Sequence, residues 1–243
     1  MTINNDLTVE SFKQNNKQAY DAFLEDGMKI VTLPANTRLF KLSAYDVTDN
    51  AKYNPISAWW SYVHPTEDDD EGAAGRFVQA IMNGISYTAM VRYMSAVRID
   101  WNLLTKYIEI NLKEETKAVY GKFAMQVWLS DDKKDEMGKW LAKEQAQLPA
   151  HYGVLEAWQL YIPNLYLESG KENVDKITTI DLKPGGEKDL AMASHLKDNT
   201  NDDLFKALLA QYATAAVNAP GKKYEPGTMY SVDKGNKTFV EAG

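Results

Sequence analysis

Residues 54–65 read Asn-Pro-Ile-Ser-Ala-Trp-Trp-Ser-Tyr-Val-His-Pro, and the adjacent pair Trp59 and Trp60 constrains the fold more than any other feature. Consecutive side chains on a strand point to opposite faces, so both indoles can leave water only if both faces of their sheet are covered. If one ring instead stays partly exposed beside Ser57 and Ser61, it offers a planar ligand a stacking surface with hydrogen-bond partners at its rim.

Hydrophobic periodicity assigns the surrounding elements. Thr8 is an N-cap for a helix over 8–25, with Phe12, Ala19, Tyr20, Phe23 and Leu24 on one stripe and Gly27 ending it. Residues 28–33 and 37–42 read as strands about a turn at 34–36. The double-tryptophan segment is extended. Phe77, Ile81, Ile85, Met90, Met94 and Val97 give a buried helical stripe from about 73 to 104, divided near Gly84 and Ser86 into two helices. The period then drops to two: Tyr107, Ile108, Ile110 and Leu112, followed by Val119, Tyr120, Phe123, Met125 and Val127, predict an antiparallel hairpin. Residues 131–147 read as a charged surface helix or loop, 154–162 and 177–182 as strands, 202–217 as a helix, and the polar tail holds a short strand at 229–232. Strands before and after a helical region predict a single α+β domain over 1–243, with mostly antiparallel strands and helices packed against them. Its parts are the N-terminal helix 8–25, a core over 28–182, and the C-terminal helix 202–217 with the tail.

Composition excludes several chemistries. The chain has no cysteine, which removes disulfides, thiolate nucleophiles and Cys-ligated metals. Only His64, His151 and His195 are present, and no short-range ligand spacing joins them, so no metal is expected. The formal net charge of -7 argues against a nucleic-acid partner held through phosphates. Five of the negative charges form the run Glu67 to Glu71, which reads as a solvated loop or helix start. No apolar stretch approaches the roughly twenty residues of a membrane helix, and no secretory signal is visible. The expected location is the cytoplasm where the chain is made, since export or injection by a leaderless route leaves no sequence trace.

Polar residues that their neighbours do not explain mark a candidate site: Arg38 on an early strand, Ser57 and Ser61 beside Trp60, and Glu156 and Gln159 on a late strand. A buried arginine needs a carboxylate or an anionic ligand, because an unpaired charge in a core is costly. Glu156 is one carboxylate for Arg38, if their strands are close. The same order resembles the site of the ADP-ribosyltransferase family. The resemblance implies a role for Arg38 on the phosphates or ribose of NAD, for Ser57, Trp60, Ser61 and Gln159 in the nucleotide pocket, and for Glu156 as the catalytic carboxylate at the ribose. The family's Ser-Thr-Ser triplet and its Glu-x-Glu or Gln-x-Glu ending are absent. Residues 56–61, 101–105, 120–126 and 159–165 also resemble uncharacterised bacterial proteins of secretion and toxin loci, which implies an effector-like role.

The chemistry is coherent on its own terms. Cleaving the nicotinamide–ribose bond builds positive charge on the ribose, which one carboxylate, an arginine on the pyrophosphate and an aromatic ring can serve. NAD as a substrate, with transfer to a protein target or hydrolysis, is thus one expectation. The other is a non-enzymatic binding module, or an immunity-type partner of a basic toxin, working through the Trp59 and Trp60 surface. Each residue also has a structural role open to it: Arg38 as a salt-bridged strand arginine, the tryptophans as one core residue and one lid, Glu156 as a rim residue. Strand parity adds a constraint, since Glu156 shares a face with Trp158, and Gln159 with Tyr161. Glu156 and Gln159 enter one pocket only across a bulge. No G-x-S-x-G elbow or phosphate-binding glycine loop is present.

Overall fold

A computed structural model describes residues 3–45, 57–66, 72–82, 87–97, 104–123, 158–165, 173–182 and 187–200, together with Asp68, Asn102, positions within 203–210, and the short strands 126–127, 151–152, 230–232 and 239–241. The architecture is α+β, built on a seven-stranded antiparallel sheet. Its strands are β1 (Lys29–Leu33), β2 (Arg38–Ser43), β3 (Trp59–Tyr62), β4 (Lys106–Leu112), β5 (Thr116–Lys122), β8 (Trp158–Tyr161) and β9 (Val174–Asp181). Their spatial order is β1-β5-β8-β3-β2-β4-β9. Two further two-stranded sheets pair β6 (Gln126–Val127) with β7 (His151–Tyr152) and β10 (Tyr230–Val232) with β11 (Phe239–Glu241).

The register shows how this sheet closes. Lys29 faces Tyr120 and Leu33 faces Thr116, while Arg38 faces Asn111 and Ser43 faces Lys106. One register therefore runs without slip from β1/β5 into β2/β4, as a single antiparallel ladder bent at a corner. Pro34 opens the corner, Asn36 takes the left-handed conformation (φ 65°) that asparagine tolerates, and Thr37 N–H donates to Pro34 O at 3.2 Å. Because β2 pairs β3, β3 pairs β8, β8 pairs β5 and β5 pairs β1, the ring returns to its starting strand. Leu33, Leu39, Trp60, Ile108, Ile110, Ala118, Tyr120 and Leu160 fill its inner face.

Helices cover the outer face. α1 (Val9–Asn15) and α2 (Lys17–Tyr20) sit over β5, β8 and β3, where Phe12 and Phe23 pack with Val119, Trp59 and Tyr161. α3 (Gly72–Met82), α4 (Tyr87–Met94) and α5 (Glu187–Asn199) bury Phe77, Tyr87, Val91 and Met192 against Phe40, Leu42 and Tyr107. Both faces are thus covered, which is the condition for both adjacent tryptophans to be drawn out of water. Trp60 points inward and is 1% exposed, while Trp59 points outward into the aromatic cluster.

Several sequence expectations are corrected in detail. Thr8 caps the first helix, its side chain accepting from Ser11 N–H, but the helix breaks at Asn16 and ends at Tyr20 instead of 25. The isolated bridge of Phe23 to Phe123 draws the chain into the sheet there. β4 and β5 form as expected yet do not pair as a hairpin, since the corner assigns β4 to β2 and β9, and β5 to β1 and β8. The helical stripe ends at Met94, and helix α5 is an addition to the expected elements. The helix expected over 202–217 is helical at the described positions within 203–210. Residues 131–147 and Glu156 lie outside the described residues. Among the described residues no helix is long and apolar enough to cross a membrane.

Candidate functional site

Phe40 is in register with Glu109, and Arg38 with Asn111, so Arg38, Phe40, Tyr107, Glu109 and Asn111 share the outer face of β2 and β4. On β9, Thr178 lies opposite Glu109, and Tyr107 opposite Ile180. The helical layer covers the Phe40 end of this face but leaves the Arg38 end as a pocket. Its volume is about 380 Å³, and its walls are Arg38, Glu109, Asn111, Lys176, Thr178 and His195 from α5.

Glu109 organises the pocket. Its side chain is 5% exposed and takes hydrogen bonds on both oxygens. Arg38 donates to Oε1 through Nε at 2.7 Å and also through Nη2. Tyr107 Oη donates to Oε2 at 2.7 Å, and His195 Nε2 lies 2.9 Å from the same oxygen. Burial pushes the Glu109 carboxyl up, but the bonds from His195, Tyr107 and Arg38 outweigh it and hold the group down at about 2. Glu109 is therefore an anion at neutral pH, and an anion only accepts. His195 Nε2 must then carry the proton, which leaves Nδ1 with the lone pair in the neutral ring. A histidine held in one tautomer by a buried carboxylate is the arrangement of a general base and its orienting partner.

The surroundings reinforce that geometry. Tyr107 stacks on Phe40 at 5.5 Å and meets the His195 ring edge-on at 5.6 Å. Its hydroxyl is pushed far above the usual range by burial and by the Glu109 charge, so it stays a donor. Arg38 Nη1 donates to His64 Nε2 at 3.3 Å, and burial and then Arg38 lower the His64 pKa. Lys176, on the exposed wall, makes no ion pair among the described residues.

The residues singled out in the sequence separate into two places. Arg38 lines the polar pocket and pairs with Glu109. Trp60, Ser61 and Gln159 line a second, smaller cavity that shares no residue with the first. Ser57 lies beside Lys41, which also lines that cavity. Lys41 is an odd number of residues from Arg38 on one strand and so projects from the opposite side of it. Ser61 accepts from the buried Arg76 of α3 at 3.1 Å, and the Gln159 side-chain amide donates to Ser95 O at 3.1 Å. Glu156 has no described position. Strand parity holds: Trp158 packs with the inner-face residues, and Gln159 faces the end of α4.

Sequence reasoning did not select Glu109, Tyr107 or His195 for this site. Glu109 did carry a signal, as the one acid inside the apolar run Tyr107-Ile108-Glu109-Ile110. His195 carried none, because its partner is 86 residues away. Among the described residues, no group of three or more histidines and acids is placed to hold a metal ion. No protein-family model, curated protein or solved structure matches the chain.

Proposed function

We propose that the chain binds a small phosphate- or carboxylate-bearing molecule in the Arg38–Glu109–His195 pocket and acts on it by proton transfer through His195. The observation that supports this most is the hydrogen-bonded Glu109 anion, which orients His195 and Arg38 toward a cavity with Lys176 on its rim. Arg38 and Lys176 against Glu109 leave the walls with one excess positive charge, the right sign for an anion. With its oxygens occupied by four N–H and O–H donors, Glu109 has no lone-pair direction left for substrate. It serves as an orienting charge, and the proton-transfer role falls to His195.

Within that class, the resemblance to ADP-ribosyltransferases makes NAD the first compound to test, with Arg38 and Lys176 on its phosphates. Thermal denaturation with millimolar NAD, ADP-ribose, inorganic pyrophosphate and citrate is the experiment. At least one of these anions raises the melting temperature of the wild type, and Lys176→Ala, on an exposed strand position, reduces the rise while leaving the unliganded protein unchanged. A flat response to all four compounds by folded protein refutes the reading. The Trp59 and Trp60 docking reading gains no support, because Trp60 presents no face to a partner and Trp59 is half-covered by Phe23, Phe123 and Tyr161.

A further inference from the structure

β4 and β9 do not pair evenly beneath the polar pocket. Ile110 faces Ile177 and Leu112 faces Val174, so Asn111 of β4 is opposed by two residues of β9, Asp175 and Lys176. The extra residue makes a β-bulge, a device that re-aims side chains and recurs beside functional sites. Here it falls at Lys176, in the pocket wall.

The wall residues stand in two rows across the strands. Arg38 of β2 faces Asn111 of β4, and Asn111 faces the bulge with Lys176, which makes a row of cation, amide and cation. Two residues away on β4, Glu109 faces Thr178, and His195 from α5 bonds to the same carboxylate. Residues two apart on a strand share a face and lie about 7 Å from one another, which sets the distance between the rows.

The rows differ in chemistry. Lysine and arginine carry positive charge and only donate, so the first row suits an anionic group. Glu109 holds Nε and Nη2 of Arg38, so the part of Arg38 there is chiefly its charge, and the Lys176 ammonium and Asn111 amide supply N–H donors. In the second row the Thr178 hydroxyl both donates and accepts. A group of that kind matches a ligand hydroxyl, whereas an anion calls for donors alone. Among the described residues all six in the wall are polar, and a volume of about 380 Å³ is near the small end of ligand pockets, which run from about 300 to 1,000 Å³.

We infer that the pocket takes a phosphorylated sugar, with its phosphate on the Arg38–Asn111–Lys176 row and its hydroxyls on Thr178 and His195. A sugar phosphate carries its anion and its hydroxyls at opposite ends of one small polar molecule, as the two rows do at opposite ends of the pocket. The inference rests on the anion-binding reading above and narrows its ligand class. A free sugar phosphate and the phosphoribosyl part of a nucleotide present the same chemistry.

Isothermal titration of the folded full chain with inorganic phosphate, pyrophosphate, ribose, ribose 5-phosphate and ADP-ribose tests it. Ribose 5-phosphate binds about tenfold tighter than inorganic phosphate, the gain that hydroxyl contacts of ordinary strength give, and also tighter than ribose. Thr178→Val removes the hydroxyl and suits a strand, so it folds, and it weakens ribose 5-phosphate several-fold more than inorganic phosphate. Lys176→Ala weakens both. ADP-ribose binding tighter than ribose 5-phosphate identifies a nucleotide as the source of the group, and weaker binding identifies a free sugar phosphate. Ribose 5-phosphate binding no tighter than inorganic phosphate, or a Thr178→Val chain that keeps the full wild-type preference, overturns the sugar and leaves the anion pocket standing. Folded wild type that binds none of the anions overturns both.

Discussion

Arg38 on β2 lies in register with Asn111 but bonds to Glu109, the diagonal neighbour on β4 that is in register with Phe40. Such diagonals are within reach of long side chains on one face of an antiparallel pair. The reach has a consequence for packing. It places the ion pair on the same face as the Phe40–Tyr107 stack, where both partners line the pocket.

Removing one partner of that pair leaves a buried charge uncompensated. Arg38→Met should destabilise the fold by about 3 kcal/mol, and adding Glu109→Leu should recover only part of that loss, because it removes the unpaired charge but leaves the buried Tyr107 hydroxyl without its acceptor. Urea denaturation of the two single variants and the double variant measures this. A double variant whose loss equals the sum of the single losses contradicts the pairing.

Glu109 also sets an acid limit on stability. Its carboxyl sits at about 2 in the folded chain against an ordinary 4.5, so the unfolded chain binds the proton first as pH falls. The stabilisation is therefore present above pH 4.5 and disappears as pH drops toward 2. A depression of this size corresponds to about 3 kcal/mol for a group so little exposed. Unfolding free energies measured at pH 6 and pH 3 should differ more in the wild type than in Glu109→Gln, and equal differences would show that Glu109 is not the group.

Gly72 opens α3 with φ +54°, and a Cβ there would lie 2.5 Å from Val63 O and 2.9 Å from the carbonyl carbon of His64. Those neighbours are backbone and cannot rotate away. Gly72→Ala should cost more than about 2 kcal/mol, from left-handed strain and the clash together. A calorimetric melting temperature within a degree of the wild type would contradict this.

The two tryptophans should separate in a denaturation experiment. Trp60→Ala opens the inner core and should cost about 4 kcal/mol, whereas Trp59→Ala, on a half-buried ring, should cost clearly less. Urea midpoints of the two variants give the ranking, and the reverse order would contradict the inward placement of Trp60.

The sequence posed the covering of both sheet faces as one of two outcomes for the neighbouring indoles, the other being one ring left partly exposed, and the fold takes the first. It also showed the turn at Pro34 to Asn36, the Thr8 cap and the division of the helical region, all of which rest on local chemistry. Closure of the sheet was not legible. Residues 113–115 look like a hairpin loop, and only pairing with the distant β1 and β2 turns them into a corner. The site divides in the same way. Arg38 stood out as a strand arginine needing an anion, but its partner lies 71 residues on, and the nearest signal was one acid in an apolar run. His195 comes from an α-helix whose apolar residues, Met192, Ala193 and Leu196, form too short a stripe to announce it.

The most direct test of the central claim is isothermal titration of the folded chain with NAD, ADP-ribose and inorganic pyrophosphate, repeated on Lys176→Ala and His195→Gln. The account predicts saturable heat with at least one of the three, weakened several-fold by Lys176→Ala, while His195→Gln still binds and loses turnover of whichever ligand the wild type consumes. Absence of binding by folded wild-type protein, or binding that is indifferent to Lys176, would contradict it.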